Sequence, residues 1–249
     1  MAPDLSPCRA MFETDPVRYL DLTEPVRRGT GEVVYAGPDG ALVAVDTGRG
    51  VRPEDQLFTL SARDADAARR LCALLPGPAV QVTVHEECAF PALEERLGIR
   101  AWNPCWQAGY LSTAPLPERP CGLPFELRPL GPEHLEQVYA HYQLPGEAYL
   151  RRRLECGAML GAFTPGGTLA GFIGRHEEGT IGMLEVLPPY RRRGLGKLLQ
   201  SRMANLALAE GHTPYCQIFA DNEVSLALQR SLGFQISRGF MYWPRSEFD

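Results

Sequence analysis

Between a strand-like run and a long helical stripe, the chain packs two prolines, three arginines and two glycines into one turn: Leu184-Glu-Val-Leu-Pro-Pro-Tyr-Arg-Arg-Arg-Gly-Leu-Gly-Lys197. Thr180 to Leu187 reads as a strand that ends at the prolines. From Gly194 to Glu210, Leu195, Leu198, Leu199, Met203 and Leu206 fall on one helical face, and Gly211 is placed to end the helix. A strand feeding a helix through such a loop leaves the first helical N–H groups unpaired and aims them at one point, with the positive end of the helix dipole behind them. That is an anion site, most often for phosphate. Gly194 and Gly196 let the backbone approach an oxygen closely, and Arg191, Arg192 and Arg193 add charge-assisted donors. Two known phosphate loops are excluded. A Walker loop needs another glycine five residues before the G-K-[ST] and a hydroxyl after Lys197, and a dinucleotide fingerprint needs a third glycine where Leu199 stands.

The rest of the chain is ordinary in composition and punctuated by proline. Its 249 residues are 45% hydrophobic and 22% charged, which places it among globular proteins of one large or two small domains. A net charge of −5 argues against a general nucleic-acid binder. No apolar run approaches the roughly 20 residues of a membrane span, and the N-terminus lacks the features of a secretory signal. The seven cysteines contain no C-x-x-C, so reduced thiols in a cytoplasmic protein are expected. His85-Glu86-Glu87-Cys88 is the nearest approach to a metal cluster, but it follows the alternating Val80, Val82 and Val84 and reads as a strand end. No metal is expected.

Ser112 to Pro124 holds four prolines without helical periodicity and reads as a linker. Before it, Val33–Tyr35 and Ala41–Val45 predict a hairpin, Asp64 to Leu75 and Phe90 to Leu97 helices, and Ala79 to Val84 and Trp106 to Leu111 strands. After it the order is strand (125–130), two helices (132–142 and 147–156), a hairpin (158–175), strand (180–187), helix (194–210), strand (214–219), helix (222–232) and strand (234–243). Leu93-Glu-Glu-Arg-Leu-Gly-Ile99 echoes Leu228-Gln-Arg-Ser-Leu-Gly-Phe234, and the surrounding order agrees, so two copies of one fold are expected, residues 1–118 and 119–249.

Arg191-x-x-Gly194-x-Gly196, between such a strand and helix, resembles the acyl-CoA signature of the GNAT acyltransferase superfamily. Asn222-x-x-Ser225-x-x-Leu228, running on to Leu232-Gly233-Phe234, resembles that family's second signature. The resemblance covers residues 125 to 243. It implies a mixed α+β fold, a mostly antiparallel central sheet flanked by helices. The tandem plan is similar to the FR47-like and glycine N-acyltransferase-like branches. Ser61 to Ala67, where the first half would carry its own loop, has no glycine and two aspartates, which would repel a diphosphate. One cofactor site is therefore expected, in the second half.

The resemblance further implies transfer of an acetyl or other acyl group from acetyl-CoA to a primary amine by direct attack, the acceptor being a small molecule or an amino acid. It assigns Leu184, Val186, Asn222 and Ser225 to the pantetheine side and Arg191, Arg192, Arg193, Gly194, Leu195, Gly196 and Lys197 to the diphosphate. The base is sought among Glu185, on the key strand beside Val186, the Glu177–Glu178 pair at the strand's start, and His176 acting through water. Alternation points Glu185 and Val186 to opposite faces unless a bulge intervenes. His176 on its own reads as a surface residue, and the glutamate pair as solvated. Relatives often place a tyrosine, used as the acid, where this chain has Gln229; Ser225, Cys216 and Tyr242 are the substitutes. A non-catalytic acyl-CoA sensor and a protein lysine or N-terminal acetyltransferase remain alternatives. The partners expected are a small amine, no nucleic acid and no membrane, for a monomer or homodimer.

Overall fold

The computed structural model describes residues 4–46, 56–77, 80–118, 121–122, 124–144 and 146–245. Arg119 and Pro120 at the expected domain boundary, Leu123 of the linker and Ala79 of the expected strand lie outside them. The chain runs α1 (Arg9–Phe12), α2 (Leu20–Arg28), β1 (Gly31–Gly37), β2 (Gly40–Val45), β3 (Leu57–Ala62), α3 (Ala65–Cys72), β4 (Gln81–Val84), α4 (Phe90–Leu97) and β5 (Trp102–Gly109). It continues β6 (Glu126–Pro129), α5 (Leu135–Tyr139), α6 (Glu147–Glu155), β7 (Met159–Phe163), β8 (Leu169–Arg175), β9 (Ile181–Val186) and α7 (Leu195–Ala209). It ends β10 (Tyr215–Phe219), α8 (Glu223–Ser231), β11 (Gln235–Ile236) and β12 (Met241–Pro244). No helix among the described residues is long and apolar enough to cross a membrane, and all seven cysteines are unpaired.

Two compact units result, and they are not contiguous in sequence. One takes residues 1–109, 217–226 and 234–249, the other residues 110–216 and 227–233. A single cut at 118/119 does not outline these units.

The first unit is built on a sheet ordered β1-β2-β3-β4-β12-β5-β10, with β11 on β5. β3 pairs with β4 in parallel, Phe58 opposite Val82 and Leu60 opposite Val84. β12 lies between β4 and β5, antiparallel to both, so residues from the far end of the chain complete the sheet. The expected last strand, 234–243, is thus two pieces, β11 and β12. Leu71, Leu75 and Leu93 of the helical segments pack with Leu60, Val82 and Val84 in one core. Phe12 and Leu22 pack with Val43 and Val45 in another.

The second unit carries the antiparallel sheet β6-β7-β8-β9 with β9 at its edge. Tyr149, Leu150 and Leu154 of α6 and Val138 of α5 pack with Phe172 and Met183 against one face. α7, with Leu195, Leu199, Met203, Ala204 and Ala207 buried, packs against β8 and β9. The expected helix 132–142 is shorter, a 3-10 turn at Pro132–His134 leading into α5. Where it is described, the proline-rich linker is held against α7: Leu116 is buried, its N–H donates to Asn205 Oδ1 (2.7 Å), and Asn205 Nδ2 donates back to its carbonyl (2.9 Å).

Candidate active site

β9 stops at Val186, a 3-10 turn covers Pro188–Tyr190, and α7 begins at Leu195. Gly194 caps the helix at φ +87°, a left-handed conformation that glycine adopts without strain, and no side chain caps the first turn. Leu198 N–H already donates to Gly194 O, which leaves the N–H groups of Leu195, Gly196 and Lys197 without helical partners. Arg191, Arg192, Arg193 and Lys197 are exposed around this mouth. The donor set fits a diphosphate. The matching helix of the first unit differs: Asp64 caps α3 by accepting from Ala67 N–H at 2.9 Å, so its dipole already faces a carboxylate.

Arg191 is turned back toward the strand. Its Nε donates to Val186 O (2.8 Å) and its terminal nitrogen to Glu185 Oε1 (2.9 Å). It braces the end of β9 against the loop, leaving Arg192 and Arg193 as the outward cations.

A bulge in β9 sets which side chains share a face. Gly174 pairs with Gly182 and Phe172 with Glu185, so two residues of β9, Met183 and Leu184, oppose Ile173 alone. Met183 takes φ +51° there. Residues 172 and 174 lie on one face of β8, and Phe172 packs with the α5–α6 cluster. Gly182 and Glu185 therefore both look toward α5 and α6. Val186 looks the other way: a Cβ on Gly196 of α7 would meet Val186 Cγ2 at 3.7 Å. The bulge lies ahead of Glu185, so Glu185 and Val186 stay on opposite faces. One faces the helical cover, the other the helix that bears the anion mouth.

On the α5–α6 face, Tyr142 is partly buried and hydrogen-bonded to the Met183 backbone; burial pushes its phenol pKa up, and the Glu185 charge adds to this. His176 is not a surface residue. Tyr149 of α6 holds its Nδ1 at 2.6 Å. Glu178 is not solvated either: it is buried, its carboxylate accepts from the Thr180 hydroxyl, and its carbonyl accepts from Tyr215 OH at 2.8 Å. Sequence reasoning missed Tyr142 and Tyr149. The only trace of the pairing is Gly182, a glycine inside a strand.

Asn222 and Ser225 belong to the first unit, where Asn222 Oδ1 accepts from Ser225 N–H (3.0 Å) as the cap of α8. Gln229, at the position of the relatives' tyrosine, is buried with Oε1 unpartnered. Cys216 and Tyr242 are buried, and Tyr242 is committed to Glu87 at 2.6 Å. His85, Glu86 and Glu87 are likewise engaged in the first unit, with Asp21, Ala62 N–H and Tyr242 respectively.

A mostly antiparallel sheet flanked by helices, with a bulged edge strand that runs through a basic glycine loop into an uncapped helix, defines a GNAT-fold protein. Residues 159–243 match the FR47-like protein family. A segment is 39% identical over 80 residues to the N-alpha-acetyltransferase RimI of Mycobacterium tuberculosis, a match that takes in 28% of this chain and 48% of that relative. The chain thus aligns with only about half the length of the curated relative. Among solved structures, a Drosophila protein superposes with a TM-score of 0.58 at 24% identity, over 82% of this chain and 74% of that one. A putative GNAT-family acetyltransferase from Novosphingobium aromaticivorans superposes with a TM-score of 0.53 at 21% identity, over 91% of this chain and 99% of that one. The fold is thus the one these GNAT proteins share, and the family match lies within residues 159–243.

Proposed function

We propose that this protein is an N-acetyltransferase that moves the acetyl group of acetyl-CoA to a primary amine of a small molecule or amino acid within a ternary complex. One observation carries the reading. The first turn of α7 presents three N–H groups without helical partners, together with exposed cations, at the end of an edge strand, and among the described residues no side chain caps it. Leu195, Gly196 and Lys197 hold the diphosphate with their N–H groups, and Arg192 and Arg193 neutralise its charge. Leu184 and Val186 line the pantetheine arm along the free edge of β9. A β9 backbone N–H near Val186 supplies the donor for the thioester oxygen as it becomes an oxyanion. Arg191 keeps the strand end in place. Glu185, on the opposite face from Val186, offers a negative charge to an incoming ammonium group. Glu178 is locked behind Thr180.

The Mycobacterium tuberculosis relative favours a second reading, in which the acceptor is a protein N-terminus. A surface groove along α5 and α6 is lined by Glu133, Glu136, Tyr139, Glu147 and Arg151; Arg151 pairs with Glu147, and the two remaining glutamates leave it acidic enough to suit a basic chain.

Gly196→Asp tests the assignment of the loop. A Cβ at Gly196 meets nothing closer than 3.7 Å, and a carboxylate in the first turn favours the helix dipole, so the variant folds at least as stably as wild type. The same carboxylate repels a diphosphate. Calorimetric titration with CoA gives binding for wild type and a loss of at least about tenfold for the variant, a cost of about 1.4 kcal/mol. Unchanged CoA affinity in a folded Gly196→Asp protein refutes the site. Thiol release from acetyl-CoA over a panel of amines and N-terminal peptides then separates an enzyme from a sensor.

A further inference from the structure

His176 closes the β8–β9 hairpin with its backbone, donating N–H to Thr180 O (2.8 Å) and accepting from Gly179 N–H (3.0 Å). Its ring folds back over β9. A Cβ on Gly182 would come within 2.4 Å of His176 Nε2, so the glycine is what lets the imidazole lie on the strand. Tyr149 OH sits 2.6 Å from Nδ1, with the two rings 5.7 Å apart. Nε2 has no hydrogen-bond partner among the described residues, and the side chain keeps partial access to solvent. Because of the bulge, Gly182 and Glu185 share a face. His176, Tyr142 and Glu185 therefore stand on the same side of β9, the side away from α7.

The charged groups around the ring are Glu178 of its own turn and Arg153 of α6. Burial lowers the imidazole pKa; the Glu178 charge opposes this and the Arg153 charge adds to it. At neutral pH the ring is uncharged, and when Nδ1–H donates to the Tyr149 oxygen the Nε2 lone pair is free to accept a proton. The rival carboxylates are occupied, Glu185 by Arg191 and Glu178 by Thr180.

We propose that His176, aimed by Tyr149, is the general base that takes the proton of the acceptor amine. This rests on the acetyl-transfer reading. The neutral amine forms a C–N bond to the thioester carbonyl carbon, and the C=O π pair moves to oxygen. An N–H proton passes from the adduct through bridging water to His176 Nε2, because the ring lies over Gly182 and the oxyanion donor lies further along β9, near Val186. The oxygen pair re-forms C=O, the C–S bond breaks, and its electron pair leaves on the CoA sulfur, which takes a proton from water. His176 returns its proton to solvent. Tyr149 touches no substrate and is a positioning residue.

The test uses the full chain, acetyl-CoA, and the amine from the panel that wild type turns over fastest, with kcat and KM followed from about pH 5.5 to 9. General-base contributions run to about 10²–10⁴-fold, so His176→Gln lowers kcat on that scale and removes the acid limb of the profile, while CoA affinity by calorimetry stays at the wild-type value. Tyr149→Phe keeps the base but moves the acid limb. If His176→Gln keeps the wild-type kcat and acid limb, the proposal is overturned and the acetyl-transfer reading stands. If wild type turns over no amine, the acetyl-transfer reading itself fails and this proposal with it. Should His176→Gln not fold, Tyr149→Phe decides alone, and an unmoved acid limb overturns the assignment.

Discussion

His85 is held on both sides by acceptors. Nε2 lies 2.9 Å from Asp21 Oδ1 and Nδ1 lies 3.2 Å from Leu60 O, both contacts fully buried. With an ionised Asp21 both neighbours are acceptors, a pair that an imidazolium, with a donor at each ring nitrogen, satisfies best. Burial pulls its pKa down, but the Asp21 charge and hydrogen bond more than reverse this, and the net shift is upward. Gln107 Nε2 also donates to Asp21 Oδ1, at 2.9 Å. A folded pKa raised above the unfolded value of about 6.5 stabilises the protein fully below that pH and loses the effect as pH rises through the folded value. Asp21→Asn removes the carboxylate that pairs with this proton, a loss that typically costs about 3–5 kcal/mol. The cost is largest below about pH 6.5, where an unfolded chain can take the proton that the variant interior cannot. Urea unfolding of wild type and variant at acid and alkaline pH measures it, and an equal loss at both would show that the ring is neutral. None of this was legible in the sequence. His85 reads as a strand end, and its partner lies 64 residues away.

Elements whose cause is local were legible. Phe90 to Leu97 was readable as a helix and is α4. The helix expected over 194–210 is α7, Leu195–Ala209, with Gly211 beyond its end at φ +77°, because a leucine stripe and a glycine at each end act within a few turns. β3 was not read: Leu57-Phe-Thr-Leu-Ser-Ala62 is buried at every position, so it shows no alternation. The bulge at Met183 was missed for a related reason, since only pairing with β8 exposes the extra residue. The destination of the last strand is the largest omission. Its sequence predicts a strand but not that it enters between β4 and β5, because pairing partners are chosen by the whole sheet. Met241 is fully buried there and pairs with Cys105. A chain truncated after Gly239 loses β12 and leaves two strand edges facing a gap. Such edges are aggregation-prone. The truncated protein should lose its cooperative thermal transition, and limited proteolysis should cut within residues 31–109. A truncated protein that melts like wild type would show that the C-terminal strand is dispensable.

Taken as a whole, the chain runs the same order twice. A hairpin (β1–β2 or β7–β8) leads to a strand (β3 or β9), then helix, strand, helix and strand. This order is consistent with a tandem, and the two halves differ at the junction between strand and helix. In the first, the strand before the helix is zipped to the strand after it along four residues, Leu57–Leu60 against Gln81–Val84, and an aspartate caps the helix. Peptide groups that a pantetheine arm would need are spent on the ladder, and the helix dipole meets a negative charge. In the second, β9 is an edge strand, β10 belongs to the other sheet, and no side chain caps the helix. Binding should therefore be stoichiometric at one CoA per chain, although the fold order occurs twice. Calorimetry on the full chain reads this directly as a single class of sites with n near one, and Asp64→Ala, which uncaps α3, leaves n unchanged because the β3–β4 ladder still closes the slot. That variant should lose only the usual cap contribution of about 1 kcal/mol in stability. A second equivalent of CoA bound by wild type would mean that a paired strand can still accept the arm, and the contrast between the two copies would lose its meaning.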